Sequence, residues 1–312
     1  MNIIFMGTPD FAVPCLKAVA ESGNKISAVF TQPDKPKGRG YKMIPTPVKA
    51  AALELGLDVY QPDSFRSGEN AQKSIELVKN LNPDLIVVVA YGQILPESLI
   101  NIPQYGCINV HASLLPKYRG AAPIQCCILN GEKMSGVTTM MIDTGLDTGD
   151  MLMKREIFIG ENETASELHD KLSVCGAGLL AETIEKIKSG SLERTPQNNE
   201  EATYSPMITK SMSRIDFSES AEKIHNKIRA ITGYAYIGGK RLKIFRSEQT
   251  GNRSTGEPGL IENVSEFMVV CGDGKLLKFT EVQPEGGKRM SIGDYLRGNK
   301  IPQGMVLKSD AK

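Results

Sequence analysis

Apolar residues follow two alternating rhythms along the first half of the chain. Short continuous runs, Ile3-Ile4-Phe5-Met6 and Leu85-Ile86-Val87-Val88-Val89-Ala90, are apolar on both faces, as strands at the centre of a parallel sheet are. Between such runs, apolar positions recur three and four apart (Phe11, Cys15, Leu16, Val19), the spacing of an amphipathic helix. The pattern predicts strands over 2–6, 25–31, 58–61, 84–90, 137–142 and 151–159, and another opening at Cys107. It predicts helices over 11–21, 47–55, 70–81, 123–130 and 164–188. Thr46 is a suitable cap for the second helix, with Pro47 at its first position and Gly56 ending it. Strands and helices alternating in this way argue for an α/β fold with a doubly wound sheet.

The rhythm changes after residue 189. Residues 190–206 are polar, with Asn198-Asn199-Glu200-Glu201, and read as a linker. A helix over 220–231 follows, carrying Ile224, Ile228 and Ile231 on one face. Short strands over 242–245, 259–261, 267–271 and 276–282 then fit a small barrel. The expected division is therefore 1–189, a linker over 190–206, and a second domain over 207–312, which 312 residues suffice to build.

No apolar run approaches the roughly 18 residues of a membrane span. The first residues lack the basic segment of a secretion signal. The six cysteines form no C-x-x-C pair, which suits a reducing cytoplasm. A cytoplasmic monomer away from membranes is the expectation.

Net charge is +1, but residues 207–312 carry +6 and the remainder −5. A basic second domain suits an anionic macromolecule such as nucleic acid. Chance asymmetry accounts for it equally well. A second basic feature is the loop over 32–45, where Lys35, Lys37, Arg39 and Lys42 face only Asp34. Connections in α/β units usually take about 2–6 residues. A longer basic loop reads as an arm for nucleic-acid phosphate, or else as a solvated surface loop.

Candidate chemistry centres on Gly106-Cys107-Ile108-Asn109-Val110-His111. Asn109 and His111 are two apart and so project from one face of the strand, at the carboxyl edge where α/β sheets bind ligands. An amide donor there suits a developing oxyanion. An imidazole suits general acid/base work or, when charged, an electrophilic role. Asp147, in the glycine-punctuated turn 143–150, is the candidate acid partner. That turn lacks the spacing of a calcium loop, so no metal is expected. His169 and His225 read as packing or surface residues. With no serine elbow, and no cysteine beside a matching base, the natural chemistry is direct acyl transfer from a bound donor to a bound nucleophile. The plain alternative is a hydrogen-bonded core pair. Gly7-Thr8-Pro9-Asp10 is not G-x-G-x-x-G, which argues against a nicotinamide oxidoreductase.

The string from Gly106 to Pro116, with Tyr118-Arg119-Gly120-Ala121-Ala122-Pro123-Ile124-Gln125 after it, resembles the signature of 10-formyltetrahydrofolate-dependent formyltransferases. Gly145-Leu146-Asp147-Thr148-Gly149-Asp150 resembles that family's catalytic aspartate loop. Three further features resemble the members acting on the methionine of initiator tRNA, rather than those acting on amino sugars. They are Phe5-Met6-Gly7-Thr8-Pro9-Asp10-Phe11-Ala12, Val29-Phe30-Thr31-Gln32-Pro33-Asp34 leading to Pro45-Thr46-Pro47-Val48-Lys49, and a second domain opening near Arg214-Ile215-Asp216-Phe217.

The resemblance implies a Rossmann-like first domain and an OB-like second one. It implies Asn109, His111 and Asp147 as catalytic residues and 10-formyltetrahydrofolate as formyl donor. Folate would meet Ser113, Leu114, Leu115 and Pro116, with Tyr91, Gly92, Ile94 and Leu95 as the pterin wall. Initiator tRNA would meet Lys35, Lys37, Arg39, Lys42 and Lys210. An amino-sugar formyltransferase and a non-catalytic RNA-binding protein on the same scaffold remain as rivals.

Overall fold

The computed structural model describes residues 1–37 and 42–311, without the side chains of Lys37, Lys42 and Glu69. The chain forms two compact units. The first contains residues 1–120, 135–157 and 169–204, and the second contains 121–134, 158–168 and 205–312. Residues 121–134 and 158–168 group with the second unit, and most of the expected linker groups with the first.

The first sheet comprises β1 (Asn2–Gly7), β2 (Lys25–Phe30), β3 (Val59–Tyr60), β4 (Leu85–Val89), β5 (Cys107–His111), β6 (Met134–Met141) and β7 (Met151–Phe158). Its order is β7-β6-β5-β4-β1-β2-β3. The strands β3, β2, β1, β4 and β5 are parallel, and β6 runs antiparallel to β5. All five residues of β4 and the last five of β1 are buried, as strands covered on both faces must be. The chain starts at β1, builds outward to β3, then returns to lay β4 on the other side. The strand order therefore reverses between β1 and β4, and such a switch point opens a crevice at the carboxyl ends.

The helices are α1 (Val13–Glu21), α2 (Pro47–Glu54), α3 (Glu69–Leu81), α4 (Glu97–Ile100), α5 (Pro123–Leu129), α6 (Ala165–Ser189), α7 (Ala221–Ile231) and α8 (Ile292–Gly298). Thr46 caps α2 as expected, accepting from the Lys49 N–H at 3.1 Å. Helix α6 comes close to the sheet at Gly176, where an added Cβ would lie 3.0 Å from Val110 Cγ1. Ser173 Oγ ties the same helix to the Phe11 carbonyl at 2.8 Å.

In the second unit, β8 (Gly233–Ile237), β9 (Lys240–Arg253), β10 (Ile261–Asn263), β11 (Met268–Val270) and β12 (Lys275–Pro284) form a sheet of order β8-β9-β12-β11-β10. Helix α7 buries Ile224 and Ile228 in a core that also contains Leu242, Ile244, Phe267, Phe279 and Val282. The two edge strands are joined through one segment. The Tyr236 and Lys308 backbones exchange hydrogen bonds at 2.8 and 2.9 Å, Leu307 N–H donates to Gly259, and Ile261 N–H donates to Met305. Residues 305–308 thereby close the β-rich unit, as a small barrel requires. The hydrophobic pattern does not predict β8 or α8.

Among the described residues, no helix is long and apolar enough to cross a membrane. None of the six cysteines forms a disulfide.

Candidate active site

Strand β5 delivers Asn109 and His111 to the carboxyl edge of the sheet. Asn109 is in register with Val88 of β4 and Met140 of β6, and His111 with Thr138 of β6. Two residues apart on one strand, they share a face. The Asn109 carboxamide is half-buried and has no hydrogen-bond partner among the described residues.

His111 is buried, and both of its ring nitrogens have defined surroundings. Nε2 lies 2.9 Å from the carbonyl oxygen of Tyr118. A carbonyl only accepts, so Nε2 carries the proton, and in the neutral ring Nδ1 is left as an acceptor. Nδ1 faces Asp147 Oδ2 at 3.7 Å, too far for a direct hydrogen bond. The Tyr118 backbone thus fixes the ring, and Asp147 stands beside Nδ1 without a direct hydrogen bond to it. Tyr118 is itself fixed by its N–H, which donates to Thr203 Oγ1 at 2.9 Å.

Asp147 has φ +53°, a left-handed backbone that non-glycine residues rarely adopt. Its Oδ2 accepts from the Gly120 N–H at 2.8 Å. The Asp143 carboxylate binds the turn from within, accepting from Gly145 N–H and Thr148 Oγ1. Gly149 has to be glycine, since a Cβ there would lie 2.0 Å from the Met141 carbonyl oxygen.

At the neighbouring switch point, Thr8 Oγ1 donates to the Tyr91 carbonyl at 2.8 Å and accepts from Gln32 N–H at 3.3 Å. Gln32 Nε2 donates to the Gly92 carbonyl at 2.8 Å. These bonds stitch the ends of β1, β2 and β4 into one edge. Of the expected pterin wall, Gly92 and Ile94 are exposed. Tyr91 and Leu95 instead lie in the core with Phe65, and burial pushes the Tyr91 phenol well above its ordinary pKa.

The segment 113–116 is a rigid support. Ser113 Oγ donates to the Lys117 carbonyl, and Thr138 Oγ1 bridges the Ser113 carbonyl and the Leu115 N–H. Lys154 Nζ donates to the Leu115 carbonyl. The side chains of Ser113, Leu115 and Pro116 are buried, and Leu114 is half-buried against Gly136. Burial of these side chains leaves Leu114 as the member of the segment with side-chain surface to offer.

Of the basic candidates, Lys35 is exposed, with Nζ 3.4 Å from Gln32 Oε1, and Lys210 is exposed in the short turn Lys210–Ser213. Arg39 and the side chains of Lys37 and Lys42 lie outside the described residues. The root of that loop is held by Lys49, whose Nζ reaches Asp34 Oδ2 at 2.6 Å and Gln61 Oε1 at 2.7 Å. His225 is a packing residue, as expected, with both nitrogens engaged. Among the described residues, no group of three or more His, Cys, Asp or Glu could hold a metal ion.

Residues 1–184 match the formyl transferase family and residues 207–300 match the formyl transferase C-terminal domain. A methionyl-tRNA formyltransferase of Caldanaerobacter subterraneus subsp. tengcongensis is 50% identical over 313 residues, covering 99% of this chain and 100% of that protein. The methionyl-tRNA formyltransferase of Clostridium novyi is also 50% identical, covering 99% of this chain and 100% of its own. Among solved structures, an N-formyltransferase from Helicobacter canadensis, in complex with folinic acid and dTDP-3-aminofucose, superposes with a TM-score of 0.66 at 22% identity. It covers 89% of this chain and 98% of its own, a likeness of fold.

Proposed function

The chain belongs to the formyl transferase family, and from that premise we propose that it moves the formyl group of 10-formyltetrahydrofolate to the α-amino group of methionine on initiator tRNA, using Asn109, His111 and Asp147. The observation that carries the residue assignment is the pairing of two acceptors, His111 Nδ1 and Asp147 Oδ2, 3.7 Å apart beside the strand face that bears Asn109. At that separation one nitrogen or oxygen donor can lie about 2.8 Å from both. A primary amine has two N–H groups, so it satisfies both acceptors while its lone pair points elsewhere.

The neutral amine attacks the formyl carbon, a C–N bond forms, and the carbonyl oxygen becomes an oxyanion. The Asn109 carboxamide, with no protein partner among the described residues, donates to that oxygen. The amine nitrogen gains positive charge and gives a proton to His111 Nδ1, with the Asp147 carboxylate stabilising the imidazolium. The bond from the formyl carbon to N10 of the folate then breaks, and the proton passes to N10. Proton and electron count close without an outside reagent.

Exposed Ile94, the Gly92 backbone and Leu114 suit an aromatic heterocycle at the switch point. Lys35, Lys37, Arg39, Lys42 and Lys210, with the +6 charge over residues 207–312, suit the phosphates of tRNA. The relatives' shared name, and identity across the whole chain, favour tRNA over an amino sugar as acceptor. We read the enzyme as acting in the cytoplasm, where charged tRNA is used, and as a monomer.

The test is a transfer assay with 10-formyltetrahydrofolate and two competing acceptors, methionyl initiator tRNA and a dTDP-linked amino sugar. Formylation of the tRNA alone is expected. Transfer to the sugar alone, or to neither, would overturn the reading.

A further inference from the structure

Gln197 lies in the stretch that composition marks as a linker, yet its carboxamide is engaged at both ends. Nε2 donates to the carbonyl oxygens of Asp147 at 2.8 Å and Gly149 at 2.7 Å. Oε1 accepts from Nε of Arg119 at 3.0 Å. The two carbonyls only accept and the guanidinium only donates, so chemistry permits a single orientation of the amide. The anchor is itself fixed. Arg119 is 1% exposed, and its Nη2 donates to Asn199 Oδ1 at 2.9 Å. Two residues earlier, Thr195 and Met151 exchange backbone hydrogen bonds at 2.9 and 2.8 Å. The carboxamide is therefore presented from a rigid base.

The turn it holds is one the backbone would not choose. Asp147 at φ +53° carries a conformational cost that the surroundings must offset. Gln197 grips the carbonyl of Asp147 and that of Gly149, one on each side of Thr148. Holding the peptide that follows Asp147 restricts the direction in which its side chain leaves the chain. That direction takes Oδ2 to the Gly120 N–H and to within 3.7 Å of His111 Nδ1.

We infer that Gln197 is a positioning residue for formyl transfer, holding the 147–149 turn so that the Asp147 carboxylate meets the same amine as His111, with Arg119 as its anchor. The inference rests on the catalytic reading of Asp147. A small misplacement of a reacting group costs up to on the order of a hundredfold in rate.

The experiment is a double-mutant cycle on the full-length chain. Gln197→Met preserves the length of the side chain and removes its donors and acceptor. The variants Gln197→Met, Asp147→Asn and the double variant are assayed for kcat and for KM with both substrates, alongside thermal melting. Gln197→Met is expected to lower kcat by roughly 10- to 100-fold with both KM values little changed. In the Asp147→Asn background it should cause no further loss, because residues acting through one another are not additive. Gln197→Glu, which keeps the acceptor for Arg119 but has no donors for the two carbonyls, should lose kcat at least to a similar degree. Full kcat in either Gln197 variant, or losses that multiply in the double variant, would overturn the inference and leave the catalytic reading standing. Asp147→Asn at the parent rate would instead overturn the catalytic reading, and this inference with it.

Discussion

His111 donates from Nε2 to the backbone carbonyl of Tyr118 at 2.9 Å, so the bond that fixes its tautomer comes from the main chain. The nitrogen that faces Asp147 is thereby freed to accept a proton. Replacing His111 by Asn shortens the side chain and withdraws that acceptor. We expect kcat to fall about 10²- to 10⁴-fold, the usual contribution of a placed acid/base group. Filter binding of methionyl-tRNA should change little. Single-turnover formylation at the parent rate would remove His111 from the mechanism.

Asn109 is expected to act on the oxyanion alone. Asn109→Ala should lower kcat about 10²- to 10³-fold, as loss of one placed donor typically does. The melting temperature should stay close to the parent, since the carboxamide has no partner among the described residues. Activity within tenfold of the parent would contradict the assignment.

Gly149 couples stability to activity. A methyl group there would meet the Met141 carbonyl oxygen at 2.0 Å, so the turn must move. Overpacking of this kind costs about 1–3 kcal/mol. Gly149→Ala should therefore lower both the melting temperature and kcat, read by calorimetry and a steady-state assay. Unchanged kcat would mean that the turn tolerates displacement.

The basic loop makes a prediction about salt. If Lys35, Lys37, Arg39 and Lys42 contact phosphates, each alanine substitution should reduce the slope of log Kd against log salt by about one. The loss of affinity should be much the same for initiator and elongator tRNA, because phosphate contacts give position and not identity. A slope equal to the parent's in the fourfold variant would rule the loop out.

His225 makes the second unit sensitive to acid. Its Nε2 donates to the Glu161 carbonyl at 2.9 Å and its Nδ1 pairs with Ser247 Oγ at 2.9 Å, a hydroxyl able to donate to the neutral ring. Burial lowers its pKa below the ordinary 6.5, and nearby Arg229 acts in the same direction. The unfolded chain then binds the proton first. The stability contribution is full above about 6.5 and is lost as pH falls toward the folded value. Urea melts of the parent should weaken between pH 7.5 and 5.5, and those of His225→Gln should weaken less over the same interval. Equal pH dependence in the two proteins would place the acid sensitivity elsewhere.

The central strands were legible because parallel strands covered on both faces must be apolar throughout. Such a run can be read without knowing its partners, as Leu85–Val89 illustrates. The candidate trio was legible through spacing on one strand and through a turn with two glycines. Tyr91 and Leu95 could not be placed, because an apolar residue after a strand is equally suited to a pocket wall or to the core, and packing against Phe65 decides it. Gln197 was hidden for a different reason. Its neighbours are polar and its structure comes from Arg119, Asp147 and Gly149, all far from it in sequence. Arg119, buried in the structure, must have polar partners, but its burial is not visible in the sequence.

The bridge made by residues 305–308 sets an order on biosynthesis. Strand β8 is complete some seventy residues before Lys308 leaves the ribosome, and β10 some forty-five before. During that interval the sheet has two open edges, each a template for pairing with another nascent chain. The β-rich unit therefore cannot reach its final form while the message is still being read through this region. Ribosomes stalled just short of Met305 would carry an unfinished sheet whose most exposed feature is its readiness to pair with a neighbour.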